Sequence, residues 1–160
     1  MLQLKPFLMK QVILSVLLSL VFCLLGLACK DKLDTSCDTN FLEADVNGYL
    51  WEAMTVKALK GGIGGQISIL AEADYGDTKM ITFGLPCDIK TGDYDLTLTP
   101  GVWDYGAYIY PKSGGLYYSE AGNMNVTVHD TSTRILKGTF EFVAAFGDAS
   151  VTKGSFCVKY

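Results

Sequence analysis

The dipeptide Asn47-Gly48 constrains this chain more than any other feature of its sequence. Both residues accept positive φ, which a two-residue type I′ turn demands, and the stretches on either side alternate apolar and polar residues. With Asn47 and Gly48 as the loop, Val46 faces Tyr49, Ala44 faces Trp51 and Leu42 faces Ala53, so every apolar partner falls on one side. A slip of one residue would carry Glu43 and Asp45 onto that side, and the register is therefore well specified. Trp51, Met54, Ala58 and Leu59 also have helical spacing, which makes a helix over 51–60 the minor expectation. The hairpin already explains the first residues of that run.

Further period-two segments follow at short intervals. Ile67, Ile69, Ala71 and Ala73 alternate with polar residues up to the turn Tyr75-Gly76-Asp77-Thr78. Ile81, Phe83 and Leu85 alternate until Pro86, and Tyr94, Leu96 and Leu98 precede Thr99-Pro100-Gly101. Tyr108-Ile109-Tyr110 leads into Pro111-Lys112-Ser113-Gly114-Gly115. Met124, Val126 and Val128 come next, then Gly138, Phe140, Phe142 and Ala144, then Phe156, Val158 and Tyr160. The expected fold is all-β: nine or ten short antiparallel strands over residues 41–160, closing into a β-sandwich or partly closed β-barrel because a half-apolar sheet must cover its inner side. Short connections favour a meander with one crossover.

Residues 1–28 read as an address. Val12 to Ala28 is almost wholly Leu, Val, Ile, Phe and Ala, with Lys5 and Lys10 ahead of it, the profile of a signal helix. Met9 would make a more compact start than Met1. An uncleaved transmembrane anchor is the competing reading, since the apolar run is at the short limit for crossing a bilayer. The stretch Leu25-Gly26-Leu27-Ala28-Cys29 resembles a bacterial lipobox, with Gly26 where a Leu is usual, which implies lipidation of Cys29 at the mature N-terminus. Residues 29–40 are polar and charged and read as a flexible tether. Cys29 followed by Lys30-Asp31 is similar to the surface-export signals of Bacteroidota lipoproteins. The expected location is the outer membrane, facing the periplasm or the cell surface, held there by lipid alone.

After such processing the chain carries eleven Lys and Arg against seventeen Asp and Glu, a formal charge of −6. No basic face that would neutralise phosphates is visible, which argues against a nucleic-acid binder. Cys37, Cys87 and Cys157 are left as an odd set. In an oxidising compartment one bridge is possible, with Cys87–Cys157 the favoured pair and Cys37 the spare thiol, or all three stay reduced. No CxxC is present, so neither zinc nor thioredoxin-like chemistry is indicated, and no cofactor motif occurs.

Candidate chemistry is sparse. His129 is the only histidine, beside a turn at a strand end, and reads as a satisfied or surface residue rather than a catalytic base. Asp93 and Asp95 share one side of a strand, where a pair of carboxylates could serve a hydrolase, yet their alternation with Tyr94 and Leu96 makes them the solvent side. Gly61-Gly62-Ile63-Gly64-Gly65 lacks the Gly-Lys-Ser/Thr ending of a phosphate loop and reads as a hairpin loop. The densest feature is aromatic: Trp103, Tyr105, Tyr108, Tyr110, Tyr117 and Tyr118 lie within sixteen residues. Such rings make platforms for sugars and anchors for proteins, or pack a core.

Leu42-x-Ala44-x-Val46-Asn47-Gly48-x-x-Trp51-x-Ala53, Thr91-Gly92-Asp93-Tyr94-Asp95-Leu96, Leu136-Lys137-Gly138-Thr139-Phe140-Glu141-Phe142 and Lys153-Gly154-Ser155-Phe156, in that order behind a lipoprotein tether, resemble the Bacteroidota lipoproteins grouped as domain-of-unknown-function family 6252. The resemblance covers nearly all of the mature domain; the extra thiols and the aromatic segment depart from it. It implies a β-fold and an envelope location, and no catalytic residues. The expectation is a non-enzymatic binding or scaffold module for a glycan or a protein partner. The alternatives are a lipocalin-like carrier of a small apolar ligand and a carboxylate-dependent hydrolase.

Overall fold

Most of the alternating segments become strands in the computed structural model, which describes residues 36–61, 65–98, 106–145 and 149–160, all within the unit Thr35–Tyr160; Leu96 and Leu98 lie past the end of their strand. The strands are β1 (Phe41–Val46), β2 (Tyr49–Glu52), β3 (Thr55–Lys60), β4 (Gln66–Glu72), β5 (Thr78–Pro86), β6 (Gly92–Asp95), β7 (Gly106–Pro111), β8 (Tyr117–Asp130), β9 (Ile135–Ala144) and β10 (Ser150–Lys159). All are antiparallel and run in the order β2-β1-β10-β9-β8-β7-β5-β4-β3, with β6 paired to β8 off this path. The sheet curls into a half-barrel. Residues 1–28, expected as a signal segment, Cys29 and most of the expected tether lie outside the described residues, as do Gly62 to Gly64, Trp103 and Tyr105.

The first hairpin has the register its turn dictates. Asn47 and Gly48 sit at φ 52° and 83°, Val46 pairs with Tyr49 and Ala44 with Trp51, and the Ala53 amide donates to the Leu42 carbonyl. Leu42, Ala44 and Trp51 are buried, and the Trp51 indole N–H donates to the Thr78 carbonyl at 2.9 Å, which ties the hairpin to β5. The helical option over 51–60 is not realised. Thr55–Lys60 is strand β3, because β4 offers it a full ladder from Thr55↔Glu72 to Lys60↔Ile67, whereas an isolated helix this short would have to nucleate unaided. Ala53 and Met54 therefore form a corner. The chain leaves β1 there and starts along β4, so the two ends of the strand path meet.

Beneath the sheet lies one apolar interior, Ile and Ala from β4 against Phe from β5, β9 and β10. Phe83 packs edge-on against Phe140 with ring centroids 4.7 Å apart, and Phe140 lies 6.3 Å from Phe156. Two Gly-x-Phe units make this possible. Antiparallel pairing sets Gly154 opposite Phe140 and Gly138 opposite Phe156, so each ring lies over the neighbouring glycine. A Cβ on Gly154 would meet the Phe140 ring at 2.5 Å, and one on Gly138 would meet the Phe156 ring at 2.8 Å. The missing side chains are the space the rings fill.

The favoured disulfide is corrected. Cys157 pairs with Cys37, their Cα atoms 6.0 Å apart, and Cys87 is the free thiol. Alternation explains the choice: Phe156 and Val158 point inward, so Cys157 points outward, while Cys87 packs against the inner core. Phe41 pairs with Cys157, which brings the residues preceding β1 directly over it. The segment Ser36–Asn40 thus forms a strap, and Cys37 with Cys157 covers the outward-facing Val128 and Ile135. Asn40 fastens its other end, accepting from the Lys159 amide at 2.8 Å.

Candidate functional site

The half of the sheet that carries β6, β8, β9, β10, β1 and β2 turns a polar lattice outward. Register alone aligns Asp93, Asn125, Thr139, Ser155, Glu43 and Glu52 in one row across six strands. Two neighbouring pairs in this row hydrogen-bond side chain to side chain. Asn125 donates to Asp93, Ser155 donates to Glu43 at 2.9 Å, and in the next row Asn123 donates to Glu141 at 2.9 Å. Lys153, lifted by a bulge at φ 50°, reaches Asp45 at 2.7 Å. A shallow depression of about 320 Å³ opens among Asn123, Thr139, Glu141, Lys153 and Ser155.

The carboxylates offered for hydrolysis belong to this lattice. Asp93 accepts from Asn125, and Asp95 accepts the Thr97 amide at 2.7 Å. The hydrogen bonds from Thr97 hold the Asp95 carboxyl below its ordinary value, opposite to what a general acid needs. His129 is equally committed. Its Nδ1 meets the Ile89 carbonyl at 2.6 Å and its Nε2 meets the Tyr160 hydroxyl at 2.7 Å, so a neutral ring donates at Nδ1 and accepts at Nε2. Among the described residues no cluster of three or more His, Cys, Asp or Glu could hold a metal ion.

The other half of the sheet, β3, β4, β5 and β7, differs. On β7, Ala107 and Ile109 point inward and Tyr108 and Tyr110 outward. Tyr118, at the start of β8, pairs with Tyr108 and shares its outward side, whereas Tyr117 turns inward and packs on the core. Tyr117 is therefore a core residue and not a platform residue, because it stands on the other parity of its strand. Tyr108 continues through Thr82 and Leu70, and Tyr110 neighbours Met80, a row of half-buried apolar and hydroxyl side chains that ends at the exposed Lys57. Burial, helped by the adjacent Tyr110 phenol, pushes the Tyr108 hydroxyl above its ordinary value and keeps it a neutral donor.

The hydroxyls separate two classes of tyrosine. Tyr75 both accepts from the Glu52 amide and donates to its carbonyl, Tyr94 does the same at Lys90, and Tyr160 meets His129. Those of Tyr108, Tyr110 and Tyr118 make no hydrogen bond among the described residues. Sequence reasoning located this segment by aromatic density and missed the distinction, which rests on strand parity and on what lies across the ladder. The comparisons with known proteins add nothing to this geometry: no family model, no curated protein and no solved structure matches the chain.

Proposed function

We propose that this chain is a lipid-anchored envelope protein acting as a non-catalytic binding or scaffold module, with the outward side of β7 and β8 as its contact surface. One observation carries the reading: Tyr108, Tyr110 and Tyr118 present half-buried rings and unused hydroxyls side by side, the equipment of a surface that stacks on and hydrogen-bonds a glycan or a protein partner. Asp93, Asp95 and His129, the groups the sequence offers for acid–base work, are engaged within the molecule instead. A carrier would need accessible area on its inner side chains. Phe83, Leu85, Met124, Phe142 and Val158 are at most 2% exposed, which favours the surface over the interior as the place of binding.

The anchor belongs to the same reading: a signal helix at residues 1–28, lipid on Cys29, and a domain closed toward a barrel at the Ala53–Met54 corner. Because Cys37 is bridged to Cys157, the free tether is the stretch between Cys29 and Cys37, at most about 30 Å when extended. That length holds the domain close to the bilayer on the outer membrane. The test compares the full chain in detergent micelles with its Tyr108→Ala/Tyr110→Ala/Tyr118→Ala variant on a glycan array and by crosslinking to envelope proteins. At least about a tenfold loss of binding with an unchanged melting curve is expected, the loss of a few buried aromatic contacts. Unchanged binding, or unfolding of the variant, refutes the assignment of this surface. Cys29→Ala is expected to leave the membrane fraction, and its retention there overturns the anchor.

A further inference from the structure

We propose that the open edge of β3 accepts an extended acidic segment of a partner protein as an added strand. This surface is separate from the tyrosine side, and neither needs the other. β3 ends the strand path and, among the described residues, pairs only with β4. The Gly61 amide donates to Gln66, so the odd-numbered residues of β3 exchange bonds with β4 and the even-numbered ones direct theirs outward. Val56 shows this directly. Its carbonyl accepts not from a strand but from the Asn40 side-chain amide at 3.4 Å, and the same amide group reaches Lys159 on β10. One asparagine thus substitutes for a single peptide unit at the seam. Past it, the N–H and C=O groups of Ala58 and Lys60 face the edge with no backbone partner among the described residues.

Charge identifies the occupant. Lys57 and Lys60 on β3 and Lys159 on β10 border this edge, all exposed, and none has an ion pair among the described residues. Lys60 lies 5.9 Å over the Tyr160 ring. They form a basic rim on an acidic protein. Lysines on an edge also reject a second copy of the same edge, since like charges would meet, so the arrangement that blocks self-pairing favours an acidic strand. Main-chain bonds to Ala58 and Lys60 would give affinity and the lysines would give selectivity, the logic of strand addition.

The test is hydrogen exchange on the full chain in detergent micelles, with a capped heptapeptide of alternating Glu and Val as the probe and its Lys and Val counterpart as the control. The acidic peptide is expected to slow exchange at the Ala58 and Lys60 amides by at least about tenfold and the basic one to leave them unchanged. Ala58→Pro removes an edge donor that the native ladder does not use, so it is expected to abolish this protection while keeping the melting curve. Should that variant fail to fold, Lys57→Glu/Lys159→Glu, which touches no backbone bond, is expected to lower peptide affinity by at least about tenfold at low salt. Protection elsewhere on the chain, equal protection by the basic peptide, or protection that grows with protein concentration alone overturns the proposal, the last in favour of self-pairing.

Discussion

The two halves of the sheet obey the same period-two pattern and finish in opposite states. In the half built on β8, β9, β10 and β1, outward polar groups pair with one another row by row, and inward phenylalanines fill the space left by glycines on the next strand. In the half built on β3, β4, β5 and β7, the inner side is just as tightly filled by Ile67, Ile69, Ala71 and Ile81, but the outer side ends in tyrosines with unused hydroxyls and a strand edge with unused backbone groups. Stability is concentrated in contacts a half makes with itself, and binding capacity is whatever those contacts leave over. The difference teaches where substitutions should unfold the molecule and where they should only silence it.

The largest expected effect lies in the first half. Phe140→Ala is expected to cost about 3–5 kcal/mol, read as a fall in the urea midpoint, because it empties the centre of the aromatic cluster. Gly154→Ala alone should cost about 1–3 kcal/mol by overpacking against the same ring, and nearly nothing once Phe140 is Ala. That non-additivity is the sharper measurement: additive costs would break the account of ring over glycine. Next comes the strap. Cys37→Ser, or reduction, is expected to lower stability by about 2–4 kcal/mol, since the bridge closes a loop spanning 120 residues and covers Val128 and Ile135. Alkylation of the intact denatured protein should label Cys87 while sparing Cys37 and Cys157.

The smallest effects are read from the pH dependence of stability. Hydrogen bonds from Thr97 hold Asp95 low, and those from Ser132, with Thr133, hold Asp130 low. Groups depressed on folding stabilise above the ordinary carboxylate value of 3.8 and lose that contribution as pH falls through their folded values. Tyr108 is raised, so its contribution is present below the ordinary phenol value of 10.0 and lost as pH rises beyond it. Asp130→Ala should therefore flatten only the acid limb of a stability–pH curve, and Tyr108→Phe only the alkaline limb. A single variant that moves both limbs would show that the halves are coupled.

Much of this architecture was readable in the chain. The Asn47-Gly48 turn set the first register, and the inward parity of Ile81, Phe83 and Leu85 and of Phe140 and Phe142 is as the alternation requires. The strand at Thr55–Lys60 was harder to read, because Trp51, Met54, Ala58 and Leu59 have helical spacing and only the presence of β4 decides for a strand. The commitment of His129 to Ile89 and Tyr160 was legible only as a preference, since partners 40 and 31 residues away leave no local trace.

By itself, then, the sequence determined the inward side of most strands, because side chains alternate along a strand and apolar ones must leave water, while the bulge after Val126 turns Val128 outward against the parity of Met124 and Val126. Tertiary structure decided which strands are neighbours. That choice paired Cys37 with Cys157 rather than Cys87, set Gly154 against Phe140, turned Tyr117 into the core while leaving Tyr118 outside, and left β3 with an open edge. Each depends on long-range register. Loop closure costs little more for a long connection than for a short one, so spacing along the chain carries almost no information about it.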